Sequence, residues 1–230
     1  MMDVHKAHYS FWSPQPFFIG AFFSMQQIFQ LWWVYRLNKL DSKKPSERRE
    51  LDSMVDYAPI FSLGNVMIAL WMVFWNSEQL KISNVCVIIN SFSQLYYVFA
   101  KLEPMNTNSL TSILNNVVAR TFAGIGVLDL VHNGSIAYFQ DEPATTTVKV
   151  VTAVLFGLLS ASSDWIFGSC MVYDLLGIAV GQSGSWRNLL GVYALGSAAI
   201  VGVKNLARPP YNKGNEGYKQ TEIDDLQDRV

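Results

Sequence analysis

The longest apolar stretch of the chain covers residues 148–180 and has the sequence VKVVTAVLFGLLSASSDWIFGSCMVYDLLGIAV. It contains no proline, and as one helix it would be about 50 Å long at about 1.5 Å per residue. A bilayer core is only about 30 Å thick, so a single helix of this length does not fit it. We therefore predict two helices, 148–161 and 165–181, which a tight turn at Ser162, Ser163 and Asp164 would join.

The composition of the whole chain is typical of a membrane protein. Of its 230 residues 50% are hydrophobic and 15% are charged, whereas a soluble domain carries about 25% charged residues. Eleven of the 35 charged residues lie in 36–56 and ten more in 204–229. The sparse charge elsewhere excludes a soluble enzyme, a disordered chain and a nucleic-acid binder with a broad basic face. We predict an all-α, polytopic transmembrane helix bundle that is embedded in a lipid bilayer.

The number of spans depends on the stretch 148–180. With its two halves there are seven spans, and with one long helix there are six. Basic residues collect in cytoplasmic loops; six spans place eight of them on each side, whereas seven spans place twelve against four. This bias favours seven spans, with the N-terminus outside or lumenal and the C-terminus in the cytosol. The other predicted spans are 17–37, 57–75, 82–100, 117–139 and 189–203.

The chain is thus expected to have three parts. An N-terminal tail, 1–16, lies outside or in the lumen, and the transmembrane bundle covers 17–205. A polar, mixed-charge tail, 206–230, is predicted to be disordered and cytosolic. We interpret the tryptophans near predicted span ends as interfacial anchors: Trp12, Trp33, Trp75, Trp165 and Trp186.

Ionisable residues at membrane depth are costly and suggest function by default. Asp129, His132 and Asn133 are at i, i+3 and i+4 and share one helix face, and Asp174 falls near the middle of its span. One interpretation is a polar cavity that holds the polar group of a ligand or relays a proton. The alternative is that these groups pair with one another, or with Arg120, and only fix helix packing.

Three other polar residues are candidates for the same cavity. Arg120 lies on the opposite face of the helix from Asp129, near its cytosolic end. Gln26 and Gln30 are at i and i+4 of the first helix, where they line the cavity or form hydrogen bonds between helices. Asp164, at the predicted turn, can cap the helix that follows.

No motif indicates catalysis or a bound metal. The chain has no HExxH, GxSxG or P-loop motif and no His-rich box, so we predict no catalytic residues, no metal site and no cofactor. Cys86 and Cys170 both fall inside spans, without a disulfide framework or metal-ligand spacing. Gly177 and Gly181 form a small-xxx-small motif that permits close contact between helices. The sequence also leaves a homo-oligomer possible.

Several segments resemble a known family. The opening FWSPQPFFI (11–19) and the helix end WVYRL (33–37) resemble the start of the tryptophan-rich sensory (translocator, TspO/MBR) proteins. The likeness is closer to their seven-helix relatives and to uncharacterised fungal membrane proteins. Residues 119–133 look like the Arg-containing central helix of those relatives, and residues 164–179 look like their penultimate span.

The resemblance implies a helix bundle in a eukaryotic endomembrane or plasma membrane. The translocator family proper has five helices and binds porphyrins or sterols in a bundle cavity. This chain departs from it in helix count and in the sequence Trp-Ser-Pro-Gln-Pro, so the identity of the ligand is not carried over. What the resemblance implies is a small amphipathic molecule within the bundle.

Three functions remain open from the sequence. The first is a non-enzymatic membrane protein that binds or translocates a small amphipathic ligand. The second is a structural or assembly protein whose buried polar residues only hold helices together. The third is an intramembrane enzyme with Asp129 and His132 as an acid–base pair, although no nucleophile or metal set accompanies them. If the protein binds a ligand, we expect its cavity to be lined by Gln26, Gln30, Asp129, His132 and Asp174.

Overall fold

The computed structural model describes residues 7–207, and over this range seven long helices follow one another without a strand. The predicted all-α bundle is confirmed. The helices are α1 (Pro16–Leu37), α2 (Pro45–Asn76), α3 (Leu80–Tyr96, continued by a π-helical turn, Tyr97–Lys101), α4 (Leu110–Tyr138), α5 (Thr146–Ser162), α6 (Trp165–Gly181) and α7 (Gly184–Ala207).

Four of the helices are long and apolar enough to cross a membrane. These are α3 with its π-helical turn, α4, α7 and the segment Glu47–Asn76 of α2. The helices α5 and α6 are apolar but shorter, with 17 residues each. The α1 helix has 22 residues, among them three glutamines, which lower its hydropathy. The four long helices support an integral membrane location.

The break inside the stretch 148–180 lies where the sequence predicts it. The α5 helix ends at Ser162 and α6 begins at Trp165. Asp164 caps α6, because its carboxylate accepts a hydrogen bond of 2.9 Å from the backbone N–H of Phe167. The Asp164 carboxylate also lies 3.0 Å from the guanidinium of Arg120 on α4. One aspartate therefore starts α6 and ties the turn to the centre of the bundle.

The helix that contains the second predicted span starts earlier than the span. The α2 helix begins at Pro45 rather than at residue 57, so much of the charged segment expected to be a loop is helical. Proline at the first helical position and Glu47 in the first turn both favour a helix start here. The ammonium group of Lys44 lies 3.1 Å from the Glu47 carboxylate. Hydropathy detects only the apolar part of a helix and misses polar turns that extend it.

The helices α4 and α7 also begin before the spans that the sequence predicts within them. The α4 helix begins at Leu110, seven residues before the predicted span at 117. Ser109 caps this start, because its hydroxyl accepts a hydrogen bond from the Ser112 N–H. The α7 helix begins at Gly184 rather than at 189 and runs to Ala207. Residues 1–6 of the predicted N-terminal tail and 208–230 of the predicted C-terminal tail lie outside the described residues.

The α4 helix is the centre of the bundle. In its most apolar 18-residue part, 72% of the residues are buried, whereas the corresponding shares are 17% for α2 and 22% for α7. It contacts α1, α2, α3 and α6. Each connection reverses the chain direction, so α4 and α6 run parallel. They approach closely because residue 124 is glycine: a Cβ atom there would lie 2.4 Å from the Cβ of Cys170.

Residues 8–15, which we call the N-terminal segment, pack into one end of the bundle. Ser10 and Ser13 are fully buried. The side-chain amide of Gln182 donates to the carbonyl oxygens of Ser10 (3.0 Å) and Ser13 (2.9 Å). The indole N–H of Trp186 donates to the carbonyl oxygen of Phe11 (2.8 Å). The part of the predicted tail that is described is thus an ordered element of the bundle.

The small-xxx-small motif of α6 faces this segment and α1. A Cβ atom at Gly181 would lie 2.4 Å from the carbonyl oxygen of Ser13, and one at Gly177 would lie 3.3 Å from the Phe18 side chain. The backbone N–H of Gln15 also donates to the Gly177 carbonyl oxygen (2.9 Å). The two glycines therefore permit a close contact within one chain.

Candidate ligand-binding site

A cavity of about 390 Å³ lies between α1 and α2, with α4 behind it. Its volume falls in the range of about 300–1,000 Å³ that is usual for small-molecule sites. Gly20, Gln27 and Met72 at its edge are exposed, so the cavity opens on the outer surface of the bundle. We call it the α1–α2 cleft. It is lined by Pro16, Ile19, Gly20, Phe23 and Gln27 of α1, by Ile68, Trp71, Met72 and Trp75 of α2, and by His132 of α4.

The helical period accounts for these walls. On α2, residues 68, 71, 72 and 75 are at i, i+3, i+4 and i+7. On α1, residues 16, 19, 20 and 23 have the same spacing and residue 27 follows one turn later, so each set occupies one helix face. No atom lies within 4 Å of the position that a Cβ of Gly20 would take. The absence of a side chain at Gly20 therefore keeps the wall of the cleft open.

The cleft is mainly apolar, with the aromatic rings of Phe23, Trp71 and Trp75 in its walls and the imidazole of His132 at its back. The rings of Trp71 and Trp75 are 5.7 Å apart, and the Trp75 ring is 5.8 Å from that of His132. The Trp71 indole N–H donates to the side-chain oxygen of Asn133 (2.7 Å), which fixes the ring. A flat or elongated apolar body fits against such walls, while one polar group of a ligand can meet the imidazole.

On the predicted polar face of α4, His132 and Asn133 have different roles. His132 lines the cleft. Asn133 is engaged on both sides: its oxygen accepts from Trp71, and its amide donates to the Asp129 carbonyl oxygen (2.9 Å). These contacts give Asn133 a role in joining α2 to α4.

Asp129 and Asp174 lie deeper than the cleft, and neither lines it. Their exposed fractions are 2% and 0%. Asp129 follows Gly124 by five residues and Asp174 follows Cys170 by four, so the close contact of Gly124 with Cys170 brings the two carboxyl groups to the same level of α4 and α6. One Asp129 oxygen and both Asp174 oxygens have no hydrogen-bond partner within residues 7–207.

Arg120 does not join this pair. Its guanidinium binds Asp164, and its Nε donates to the side-chain oxygen of Asn116 (3.1 Å). The predicted alternative in which Arg120 neutralises Asp129 or Asp174 is therefore not what the structure shows. Arg120 instead secures the turn between α5 and α6.

The glutamines of α1 are divided between the interior and the cleft. Gln26 is 2% exposed, and neither atom of its amide group has a hydrogen-bond partner. Gln30 is buried and accepts a long hydrogen bond of 3.4 Å from Gln27 of the same helix. Gln27, which the sequence did not single out, is the glutamine that lines the cleft.

A buried polar face on α3 was missed by the sequence analysis. The Ser91 hydroxyl donates to the Gly126 carbonyl oxygen (2.7 Å), and the Gln94 side chain accepts from the Tyr57 hydroxyl (2.9 Å). The signal was present in the sequence as a helical spacing of polar residues inside an apolar run. The face consists of Ser83, Asn84, Asn90, Ser91 and Gln94, all buried.

The tryptophans also differ from the interpretation as anchors. Trp33, Trp75 and Trp186 are buried, whereas Trp165 is 49% exposed. The Trp33 indole N–H donates to the side-chain oxygen of Asn115 (2.7 Å). For Trp33 and Trp186 a polar partner inside the bundle accepts the indole N–H, whereas the buried N–H of Trp75 has no hydrogen-bond partner within residues 7–207.

Comparison with known proteins gives no match: no family model, no curated protein and no solved structure matches this chain. Residues 7–207 form an all-helical bundle in which four helices are long and apolar enough to cross a membrane, with a cleft in its side.

Proposed function

We propose that the protein is a seven-span integral membrane protein that binds a small amphipathic ligand in the α1–α2 cleft. The alternating helix directions support seven spans. At about 1.5 Å per residue, the 17-residue helices α5 and α6 are each about 26 Å long. That length is close to the bilayer core of about 30 Å.

The basic residues support an orientation for this bundle. The end at which α1 finishes and α2 starts carries Arg36, Lys39, Lys43 and Lys44, whereas Lys81, Lys149 and Arg187 are at or near the opposite end. The positive-inside rule then places the C-terminus in the cytosol and the N-terminal segment outside or in the lumen.

The observation that carries the ligand proposal is the composition and position of the cleft. Its aromatic walls suit an apolar body, and His132 offers a hydrogen bond to one polar group. The opening lies between two membrane helices, so a ligand that is dissolved in the bilayer reaches it sideways. The resemblance of residues 11–19 to the translocator proteins agrees with a ligand of this kind.

Filling the cleft tests the proposal. A leucine at position 20 would project into the cleft without meeting another atom, because a Cβ there has open space. Gly196 on α7 is also exposed and has the same open space, so Gly196→Leu is a matched control. Thermal unfolding of the purified protein is measured with and without cholesterol, protoporphyrin or a phospholipid.

We expect at least one of these compounds to raise the unfolding temperature of the wild type and of Gly196→Leu. We expect the increase to be lost in Gly20→Leu, which retains the unfolding temperature of the ligand-free protein. An equal increase in both variants would place binding elsewhere. No increase for any compound in the wild type would count against a ligand of these classes.

A second candidate function is that of a structural or assembly protein. It is favoured by the side-chain hydrogen bonds that join helices in the interior, such as those between Trp71 and Asn133 and between Trp33 and Asn115. Co-purification of one stoichiometric partner from a native membrane, together with no thermal shift by any compound, would favour this function over ligand binding.

A further inference from the structure

We propose that Asp129 and Asp174 form a proton-binding site inside the bundle, and that His132 connects this site to the α1–α2 cleft. The proton site itself stands on the burial of the two carboxyl groups. Only the route through the cleft rests on the proposed function. We infer a bound proton because no group at this depth would neutralise the negative charges of both the Asp129 and the Asp174 carboxylate.

Two ionised carboxylates without partners are very costly in an apolar interior. Like charges side by side raise the cost further. Asp129 and Asp174 lie at the same level of two helices that meet closely at Gly124 and Cys170. Three of their four oxygens have no hydrogen-bond partner within residues 7–207. A bound proton removes the charge of each carboxyl group and is the smallest ligand that does so.

The groups around the pair do not neutralise both carboxylates. On their own helices the neighbouring titratable groups are His132, Cys170 and Tyr173, and of these only His132 can carry a positive charge, which offsets one carboxylate at most. The guanidinium of Arg120 is bound to Asp164. The helix α1 has no charged residue before Arg36. The charged groups of α2 lie within its first twelve residues, and those of α3, α5 and α7 lie at or near the helix ends. These are Glu47, Arg48, Arg49, Glu50, Asp52 and Asp56 of α2, Lys81 and Lys101 of α3, Lys149 of α5, and Arg187 and Lys204 of α7.

A metal cation fits the pair less well than a proton. Hard cations take about six to eight oxygen ligands. The helices α4 and α6 are continuous here, so their carbonyl groups are used in helical hydrogen bonds. Within residues 7–207 no group of three or more potential metal-ligating side chains forms.

Gln26 gives an independent sign of a polar site in this interior. It is 2% exposed, and neither its amide oxygen nor its amide nitrogen has a partner. It follows Phe22 by one helical turn, on the same side of α1, and the Phe22 ring is 5.4 Å from that of Tyr173, the neighbour of Asp174. An unpartnered amide thus points into the interior on the side of α6.

His132 provides the connection to the cleft. It follows Asp129 by three residues and so lies on the same side of α4, and it lines the cleft while Asp129 does not. When a proton passes, the O–H bond of the Asp129 carboxyl group breaks and an N–H bond forms at an unprotonated ring nitrogen of His132. The products are a carboxylate and an imidazolium, so the net charge of the interior does not change.

Infrared spectroscopy of the purified full-length protein at neutral pH tests the proton site without a ligand. A protonated carboxyl group has a C=O stretching band that a carboxylate lacks, and the band shifts to lower frequency in D₂O. We expect the wild type to show this band and the D129N/D174N double variant to lose it. Asp52 is exposed and lies outside the buried pair, so Asp52→Asn should keep the band.

A wild-type spectrum without the acid band in H₂O, or without its shift in D₂O, would overturn the proton site. A band of unchanged intensity in D129N/D174N would do the same. Because the wild-type measurement needs no variant, it holds even if the double variant does not fold. Failure of every compound in the thermal-shift experiment would leave these spectra unaffected, so the two proposals fail separately.

The route through the cleft has its own readout, which is the rate at which the acid band shifts after transfer to D₂O. We expect His132→Leu to slow this shift. Leu195→Met, a volume-conserving change at an exposed residue of α7 outside the cleft, should leave the rate unchanged. An equal rate in His132→Leu and in the wild type would overturn the connection through His132.

Discussion

The contact between α4 and α6 determines where the two buried aspartates lie, and Gly124→Ala tests it. The new Cβ atom would lie 2.4 Å from the Cβ and 2.7 Å from the Sγ of Cys170. Carbon atoms in contact prefer about 3.5–4.0 Å, so the two helices must move apart. Overpacking of this kind costs about 1–3 kcal/mol. Replacing a helical glycine by alanine returns up to about 1 kcal/mol.

We therefore expect Gly124→Ala to lower the free energy of unfolding by about 1–2 kcal/mol. The measurement is equilibrium unfolding of the purified protein in mixed micelles, followed by circular dichroism. Gly157→Ala is the control, because a Cβ there meets no atom within 4 Å. It should leave the free energy of unfolding unchanged or raise it by up to about 1 kcal/mol.

The pair Gly124→Ala and Cys170→Gly sharpens the test. Cys170→Gly removes the atoms that the new Cβ would meet, so the double variant should be more stable than the sum of the two single changes predicts. A coupling of about 1–3 kcal/mol is expected for residues in contact. Additive effects, or a Gly124→Ala variant as stable as Gly157→Ala, would refute the close approach of α4 and α6.

Two further substitutions test the remaining contacts. Trp71→Phe removes the donor to Asn133 and leaves a buried oxygen without a partner, so the free energy of unfolding should fall by about 1–3 kcal/mol. In the same micelle titration Trp165→Phe, at a 49% exposed ring, should have little effect, and equal effects of the two changes would contradict the hydrogen bond. Gly181→Ala places a Cβ 2.4 Å from the Ser13 carbonyl oxygen and should displace the N-terminal segment. Hydrogen exchange at the Gln15 amide, which is bonded to Gly177, should then become faster than in Gly202→Ala, where a Cβ has open space; slow exchange in both would show that the segment is held otherwise.

The helices of the stretch 148–180 could be predicted from the sequence because the thickness of a bilayer limits the length of a membrane helix. One helix through 148–180 exceeds the thickness of a bilayer, and the turn residues Ser163 and Asp164 mark the place to break it, so the two helices and the cap were predicted correctly. The burial of Asp174 also followed from its position within an apolar run. Such predictions depend only on local sequence and on helix length.

The site was harder to predict because it depends on the rotation of each helix about its axis. Gln26 and Gln27 are adjacent in sequence, yet the first is buried and the second lines the cleft. Apolar residues that line a cleft have the same character as those that face lipid, so Trp71 could not be distinguished from an ordinary membrane residue. The pairing of Arg120 with Asp164 depends on the packing of α4 against the α5–α6 turn, which no local pattern encodes.

The N-terminal segment has a consequence for the synthesis of the chain. Its residues are synthesised before their partners Gln182 and Trp186, which lie at the end of α6 and the start of α7. At about 5–20 residues per second, many seconds pass between the synthesis of the segment and that of these partners. The segment therefore cannot form these contacts until most of the bundle has been synthesised. A nascent chain stopped before α7 would leave the segment without the indole of Trp186, so the last helix completes a contact that the first residues begin.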